Sequence, residues 1–195
     1  MDGIEDNYED AAQCIERIGL SGLDVVVAVA ASGRTPWTCH WLQEAARVGA
    51  LAIGVSNNSD TPLLELAEIG LYLDSGAEVL AGSTRMAAGT AQKAVLNLFS
   101  TALMVRLNRT YGNLMVDMAA VNSKLDGRRL AMLQAVVGQL DEVAAARFLQ
   151  QAGGNVKLAC LLARGVPRDE AMSMLELHKG SLRTALLKLE GSSFN

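Results

Sequence analysis

Aromatic residues make up only 4% of the 195-residue sequence, so a core has to be built from Ala, Val, Leu and Met; half of the residues are hydrophobic, enough for a sizeable one. Histidine occurs twice (His40 and His178) and cysteine three times (Cys14, Cys39 and Cys160), never with CxxC spacing. That scarcity argues against a structural zinc site, and the odd, scattered cysteines suit a reducing compartment. Basic residues are outnumbered, 17 Lys plus Arg against 21 Asp plus Glu, for a net charge of −4. A non-specific nucleic-acid binder needs a basic surface to release counterions, and this chain lacks that excess. The longest apolar run, Val25 to Ala31, is far short of the ~18 residues of a membrane span. The acidic first residues, Met1 to Asp10, do not read as a secretory signal or transit peptide. The expectation is a soluble, cytoplasmic, globular protein: one medium domain, or one domain with a small appendage.

Residues 24–75 alternate between strand and helix signals. Val25-Val26-Val27-Ala28-Val29 is apolar throughout, as in a strand buried on both faces of a parallel sheet. It runs into Ser32-Gly33-Arg34-Thr35-Pro36, where Pro36 suits the first position of a helix. A helical stripe follows from Trp37 to Val48, closed by Gly49. Leu51 to Val55 predicts a second strand, Pro62 to Glu68 a short helix, and Leu71-Tyr72-Leu73 a third strand. Two strand–helix–strand crossovers predict an open α/β sheet. A strand as apolar as Val25–Val29 belongs in the middle of such a sheet, and the acidic Met1–Asp10 stretch supplies no neighbour for it. The expected partner is therefore a strand upstream or one from another chain.

Beyond Gly76 the pattern is helical. Ala91, Ala94, Val95, Leu98, Ala102 and Val105 fall at steps of three and four on one long helix. A further helix is expected from about Leu114 to Leu125, with no strand signal past residue 80. The last third holds an internal repeat offset by 26 residues: Ala145, Leu149, Gly154, Val156, Lys157 and Ala159 correspond to Ala171, Leu175, Gly180, Leu182, Arg183 and Ala185. Each copy reads as helix, glycine turn, helix, giving a small bundle over about 128–190 with Ser192 to Asn195 frayed. The implied division is a sheet domain over 1–127 and a helical domain over 128–195.

Ser32-Gly33-Arg34-Thr35-Pro36 stands where a buried strand hands over to a helix. There, unpaired N–H groups and the helix dipole favour an anion, and ligands of open α/β sheets bind at the carboxyl ends of strands. Gly33 admits close approach to the backbone, and the Ser32 and Thr35 hydroxyls suit phosphate oxygens; the same hydroxyls would also serve as plain helix caps. A second such junction, Glu78 through Arg85, puts Ser83 or Thr84 at the head of the long helix and Arg85 in its first turn. A cation there opposes the dipole, so Arg85 is either solvated or matched by an anionic ligand or a carboxylate. Glu5, in Gly3-Ile4-Glu5-Asp6, reads alone as a solvated acidic terminus. Asp117 and Asn122, on the expected 113–124 helix, read as capping or helix-pairing groups, and His40, near Trp37 and Trp41, as packed.

Four segments in order and spacing carry a resemblance: Ala30-Ala31-Ser32-Gly33-Arg34-Thr35-Pro36, Glu78 through Arg85, Ala88-Gly89-Thr90-Ala91-Gln92-Lys93, and Tyr111-Gly112-Asn113-Leu114-Met115-Val116-Asp117. From about Gly3 to Leu189 the chain resembles the bacterial N-acetylmuramic acid 6-phosphate etherases of the sugar isomerase (SIS) superfamily. The resemblance implies a three-layer α/β/α SIS sheet, N-terminally incomplete, followed by a small helical domain similar to ubiquitin-associated folds. It also implies a cofactor-independent, metal-free carbon–oxygen lyase of cell-wall recycling that releases D-lactate and N-acetylglucosamine 6-phosphate.

In that family a Gly-x-Glu-Asp motif carries the base, which matches Gly3-Ile4-Glu5-Asp6 and makes Glu5 the expected catalytic residue. Ser32, Gly33, Thr35, Ser83 and Thr84 become the expected phosphate contacts, and Glu78 and Arg85 possible substrate contacts. The expected partner is a 6-phospho amino sugar, with neither nucleic acid nor membrane, in a homodimer. The sequence departs from the family at Ala87, where a lysine is usual, and at Asn58-Ser59, where Asn-Pro is usual. Family members also carry more protein upstream, including the sheet's first strand and the catalytic acid. Two alternatives share the phosphate loop: a non-catalytic sugar-phosphate-binding regulator, which the glucokinase regulatory protein exemplifies, and a sugar-phosphate isomerase.

Overall fold

The first helix, α1 (Tyr8–Ile18), starts at Asn7, whose side chain accepts from the Glu9 and Asp10 N–H groups, and stops at Gly19 in the left-handed conformation. A computed structural model describes residues 3–118 and 123–192 of the chain. Its residues divide into two compact units, Met1–Leu98 and Phe99–Asn195.

In the first unit, Ser21 closes the turn ahead of the sheet by donating its N–H and Oγ–H to Asp24 Oδ2, each at 2.8 Å. These bonds hold the Asp24 carboxyl below its usual range. Strands β1 (Val25–Val29), β2 (Leu51–Ser56) and β3 (Ile69–Tyr72) form a parallel sheet in that order, linked by helices α2 (Pro36–Val48) and α3 (Pro62–Leu66). Val25 pairs with Leu51 through to Val29 with Val55, and Ile53 pairs with Ile69 through to Ser56 with Tyr72. The α/β class with a parallel sheet is therefore as the sequence implies. Pro36 opens α2 and Gly49 closes it, also as expected.

Side chains alternate between the two faces of a strand. Val26, Ala28 and Ala52 pack with Cys39, Leu42 and Ala45 of α2 and Leu63 of α3, which makes the core of this unit. Val25 and Val27 point to the opposite face and are exposed, as are Ile69 and Leu71 of β3. Three sequence expectations shift here. The most enclosed strand is β2, while β1 is an edge of the described sheet. The third strand lies at Ile69–Tyr72 rather than 71–73, and α3 ends at Leu66, because Ala67 already has extended backbone.

Helix α4 (Ala87–Arg106) begins later than the sequence signal: Ser83, Thr84 and Arg85 lie in the turns before it. Its apolar stripe is not a core face, since Ala88 is its buried residue and Leu98 and Val105 are exposed.

The second unit takes in the end of α4 and then forms a hairpin, β4 (Thr110–Tyr111) and β5 (Leu114–Met115), where a helix was expected from Leu114. Gly112, at φ +58°, takes the first central place of a two-residue turn that helical periodicity does not register. Five helices follow: α5 (Ser123–Val137), α6 (Glu142–Gln151), α7 (Val156–Ala163), α8 (Arg168–Leu177) and α9 (Leu182–Ser192). Ser192 thus belongs to α9, while Ser193 to Asn195, like Asn122, lie outside the described residues.

The 26-residue repeat is a structural one. Gly154 N–H donates to Leu149 C=O and Gly180 N–H to Leu175 C=O, and both glycines have positive φ. Val156 and Leu182 fill the core, as do Ala145 with Ala171 and Ala159 with Ala185. The paired basic positions diverge: Lys157 is buried and donates to Asp117 Oδ2 at 2.9 Å, whereas the Arg183 guanidinium lies over the Tyr111 ring.

Candidate functional site

The carboxyl ends of β1 and β2 carry the loops that shape the site. Ala30 N–H continues the ladder onto Val55 C=O, and Gly33 N–H then turns back onto Ala30 C=O. Gly33 has φ +64°, and a β-carbon on it would lie 2.5 Å from Ser56 Oγ and closer still to Thr61 Oγ1. Only glycine fits that contact with that backbone. The β2–α3 segment braces the loop further: Asn57 N–H and Asn58 Nδ2 both donate to Ala31 C=O, and Leu63 N–H donates to Gly33 C=O. Arg34 turns away to the Asp60 carbonyl, so its guanidinium serves the loop.

At the other end of this loop, Thr35 is the N-cap residue of α2, yet its side chain makes no capping bond. Ser32 Oγ accepts from Arg34 N–H, a local turn and not a helix cap. The first-turn N–H groups at Trp37 and Thr38 have no intrahelical acceptor, and Pro36 has none to offer. The helix start therefore keeps its anion-binding character.

These residues line one cavity of about 1250 Å³. Glu5, Ser32, Thr35, Thr84 and Arg85 border it, together with Trp37, Thr38 and Gln92. Glu5 comes from the one-turn 3-10 segment Ile4–Asp6, which lies beside α2. Arg85 makes no ion pair among the described residues.

Three predicted residues stand elsewhere. Gly33 is buried behind the loop and shapes it. Ser83 is not a lining residue; its carbonyl accepts from Met86 N–H within the turn. Glu78 is committed to the protein, its two carboxylate oxygens accepting from Ala87 and Ala88 N–H, each at 2.9 Å. That carboxylate neutralises the start of α4 and takes the place an outside anion would have there. Arg85, lying before the helix instead of in its first turn, does not oppose the dipole from within.

His40 does not border the cavity and packs edge-on against Tyr8 at 5.3 Å, while Trp37 packs against Trp41 at 5.6 Å. Among the described residues no cluster of His, Cys, Asp and Glu could hold a metal ion, and no helix is long and apolar enough to cross a membrane. Sequence reasoning missed Thr38 and Gln92 as lining residues. Thr38 stands in the first turn after Pro36, and Gln92 stands one turn after Gly89 on α4, which is the signal that would have placed both.

Residues 8–102 match the SIS domain family. Curated relatives cover most of the chain. It is 42% identical to the N-acetylmuramic acid 6-phosphate etherase of Edwardsiella ictaluri over 95% of its own length and 62% of the relative's. It is 50% identical to that of Symbiobacterium thermophilum, over 81% of the chain and 52% of the relative. A third, from Streptomyces avermitilis, is 44% identical over 95% of the chain and 60% of the relative. The chain thus spans between half and two thirds of the length of these relatives.

Proposed function

From a chain whose residues 8–102 match the SIS domain family, and which is similar to N-acetylmuramic acid 6-phosphate etherases, we propose that the cavity at the ends of β1 and β2 is the site of an etherase-type lyase. The observation that carries this reading is the convergence of Glu5, Ser32, Thr35, Thr84 and Arg85 on one cavity, from segments 5 to 85 in the chain. In the proposed complex the 6-phosphate lies on the Ser32 and Thr35 hydroxyls and the Trp37 and Thr38 N–H groups, with Thr84 beside it. Backbone donors at a helix start suit a dianion without needing a lysine.

The chemistry follows from the open-chain sugar. Its C1 aldehyde acidifies the C2 proton, which the Glu5 carboxylate removes. The electron pair left at C2 forms the C2–C3 double bond, the C3–oxygen bond breaks, and lactate departs, taking a proton at its ether oxygen. Water then adds at C3, giving N-acetylglucosamine 6-phosphate. A positioned general base contributes ~10²–10⁴-fold to such a step. Arg85, which has no carboxylate partner among the described residues, suits the anionic lactyl or phosphate group. No cofactor or metal enters this scheme.

The reading is tested by lactate release from N-acetylmuramic acid 6-phosphate together with deuterium exchange at C2 in heavy water. Glu5→Gln keeps shape and removes the proton acceptor, so exchange should fall by ~10²-fold or more while binding persists. A regulator would bind without exchange, and an isomerase would exchange without releasing lactate.

The proposal extends to a cytoplasmic homodimer. The exposed Val25 and Val27 on edge strand β1 support self-association, since an unpaired apolar strand edge is a template for another chain. Sedimentation should show a dimer; a monomer at high protein concentration contradicts it.

A further inference from the structure

Asn57 ties together three of the segments around the cavity. Its backbone N–H donates to Ala31 C=O at 3.1 Å, next to Ser32. Its side-chain Nδ2 donates to Leu73 C=O at 3.2 Å and to Ser75 Oγ at 3.3 Å, just beyond β3. Its Oδ1 accepts from Gln92 Nε2 of α4 at 2.8 Å. The polarity of this chain of bonds follows from its one fixed member. A backbone carbonyl can only accept, so the Asn57 atom facing Leu73 must be the nitrogen. Oδ1 then faces α4, and because it can only accept, the Gln92 atom that meets it must be Nε2. Reversing Gln92 would set two acceptors 2.8 Å apart.

Gln92 Oε1 is left over. It has no partner among the described residues, and Gln92 lines the cavity alongside Gly89 and Arg85. An amide whose nitrogen is held and whose oxygen is free presents an acceptor in a fixed direction. It is also held at a fixed distance from Ser32, because the same Asn57 anchors the Ser32 loop through Ala31. The cavity, at about 1250 Å³, exceeds what a phosphate alone would fill. The remaining volume has room for the carbon chain of the ligand, whose hydroxyl and amide groups are donors.

We infer that Gln92 is a sugar-binding residue of this site, its Oε1 accepting a hydrogen bond from a hydroxyl or amide N–H of the phosphorylated sugar. Asn57 is its positioning residue. The inference rests on the phosphate-site reading above, and it adds a contact that recognises the sugar instead of the phosphate. An acceptor placed there by the wrong ligand, or no donor at all, leaves Oε1 unmatched, so the contact discriminates among phosphate esters.

The test is calorimetric titration of the 195-residue chain and of Gln92→Met with N-acetylglucosamine 6-phosphate and, separately, with inorganic phosphate. Met keeps the length and helix preference of Gln but has no amide oxygen. The sugar phosphate should bind Gln92→Met about three- to tenfold more weakly than it binds the parent, with inorganic phosphate unchanged. Gln92→Ala is the second variant, and its ratio between the two ligands should move the same way. Equal affinity of parent and variants for the sugar phosphate overturns the inference, and so does an equal loss for both ligands, which marks Gln92 as structural only. Failure of the parent to bind inorganic phosphate overturns the phosphate-site reading itself, and this inference with it.

Discussion

Gly33 presses its backbone against Thr61, whose hydroxyl oxygen is buried and has no hydrogen-bond partner among the described residues, so that a β-carbon at position 33 would overlap it. The loop's course from β1 to α2 depends on this contact, because the positive φ of Gly33 turns the chain so that Ser32 and Thr35 both border the cavity. Gly33→Ala should therefore act twice, through about 1–3 kcal/mol of backbone strain and through overpacking of similar size. The expected outcome is a lower thermal midpoint together with loss of phosphate binding. An unchanged midpoint would contradict the packing described.

The buried ion pair in the second unit predicts an asymmetry. The Lys157 side chain is 6% exposed and that of Asp117 is 37% exposed, with Arg109 Nη1 3.9 Å from the same Asp117 oxygen. Asp117→Ala strands a buried ammonium group and should cost about 3–5 kcal/mol. Lys157→Met leaves a carboxylate that still reaches water and Arg109, and should cost within about 1 kcal/mol. Denaturant unfolding of both variants checks the order; equal losses would contradict it.

The order of elements in the sheet was legible because β-branched runs, Pro36 and Gly49 signal their structure locally. The β4–β5 hairpin was not, since each strand is two residues long and Leu114 to Leu125 is apolar enough to pass for a helix. The relative burial of β1 and β2 also escaped the sequence: both are apolar, and only the pairing order decides which is enclosed. At the site, Ser32, Thr35, Thr84 and Arg85 could be located from junctions of strand or turn with helix. Glu5 came only from a family motif. The commitment of Glu78 to the start of α4 was invisible, because it closes a nine-residue separation between carboxylate and amide that no local pattern encodes. Gln92 escaped for a related reason, as its role depends on Asn57, 35 residues away.

The three cysteines should differ in reactivity toward a thiol reagent at mildly alkaline pH. Burial pushes the Cys160 thiol up to about 12, against a smaller opposing effect of Arg164, and burial raises Cys39 as well. A raised thiol pKa lowers the fraction of reactive thiolate at any pH below it. Cys14 is only half-buried. One thiol, Cys14, should therefore label quickly in the folded protein, and the other two only after unfolding. Rapid labelling of Cys160 in the native state would contradict its enclosure among α5–α9.

In the proposed complex the phosphate lies against Ser32 and Thr35. The deciding measurement is the affinity of the chain for N-acetylglucosamine 6-phosphate, compared with that of Ser32→Ala combined with Thr35→Ala. The two hydroxyls donate to a charged group, so the double variant should bind at least about tenfold more weakly. Its thermal midpoint should stay close to the parent's, since neither hydroxyl caps α2. A double variant that binds the sugar phosphate as tightly as the parent would contradict the site described here.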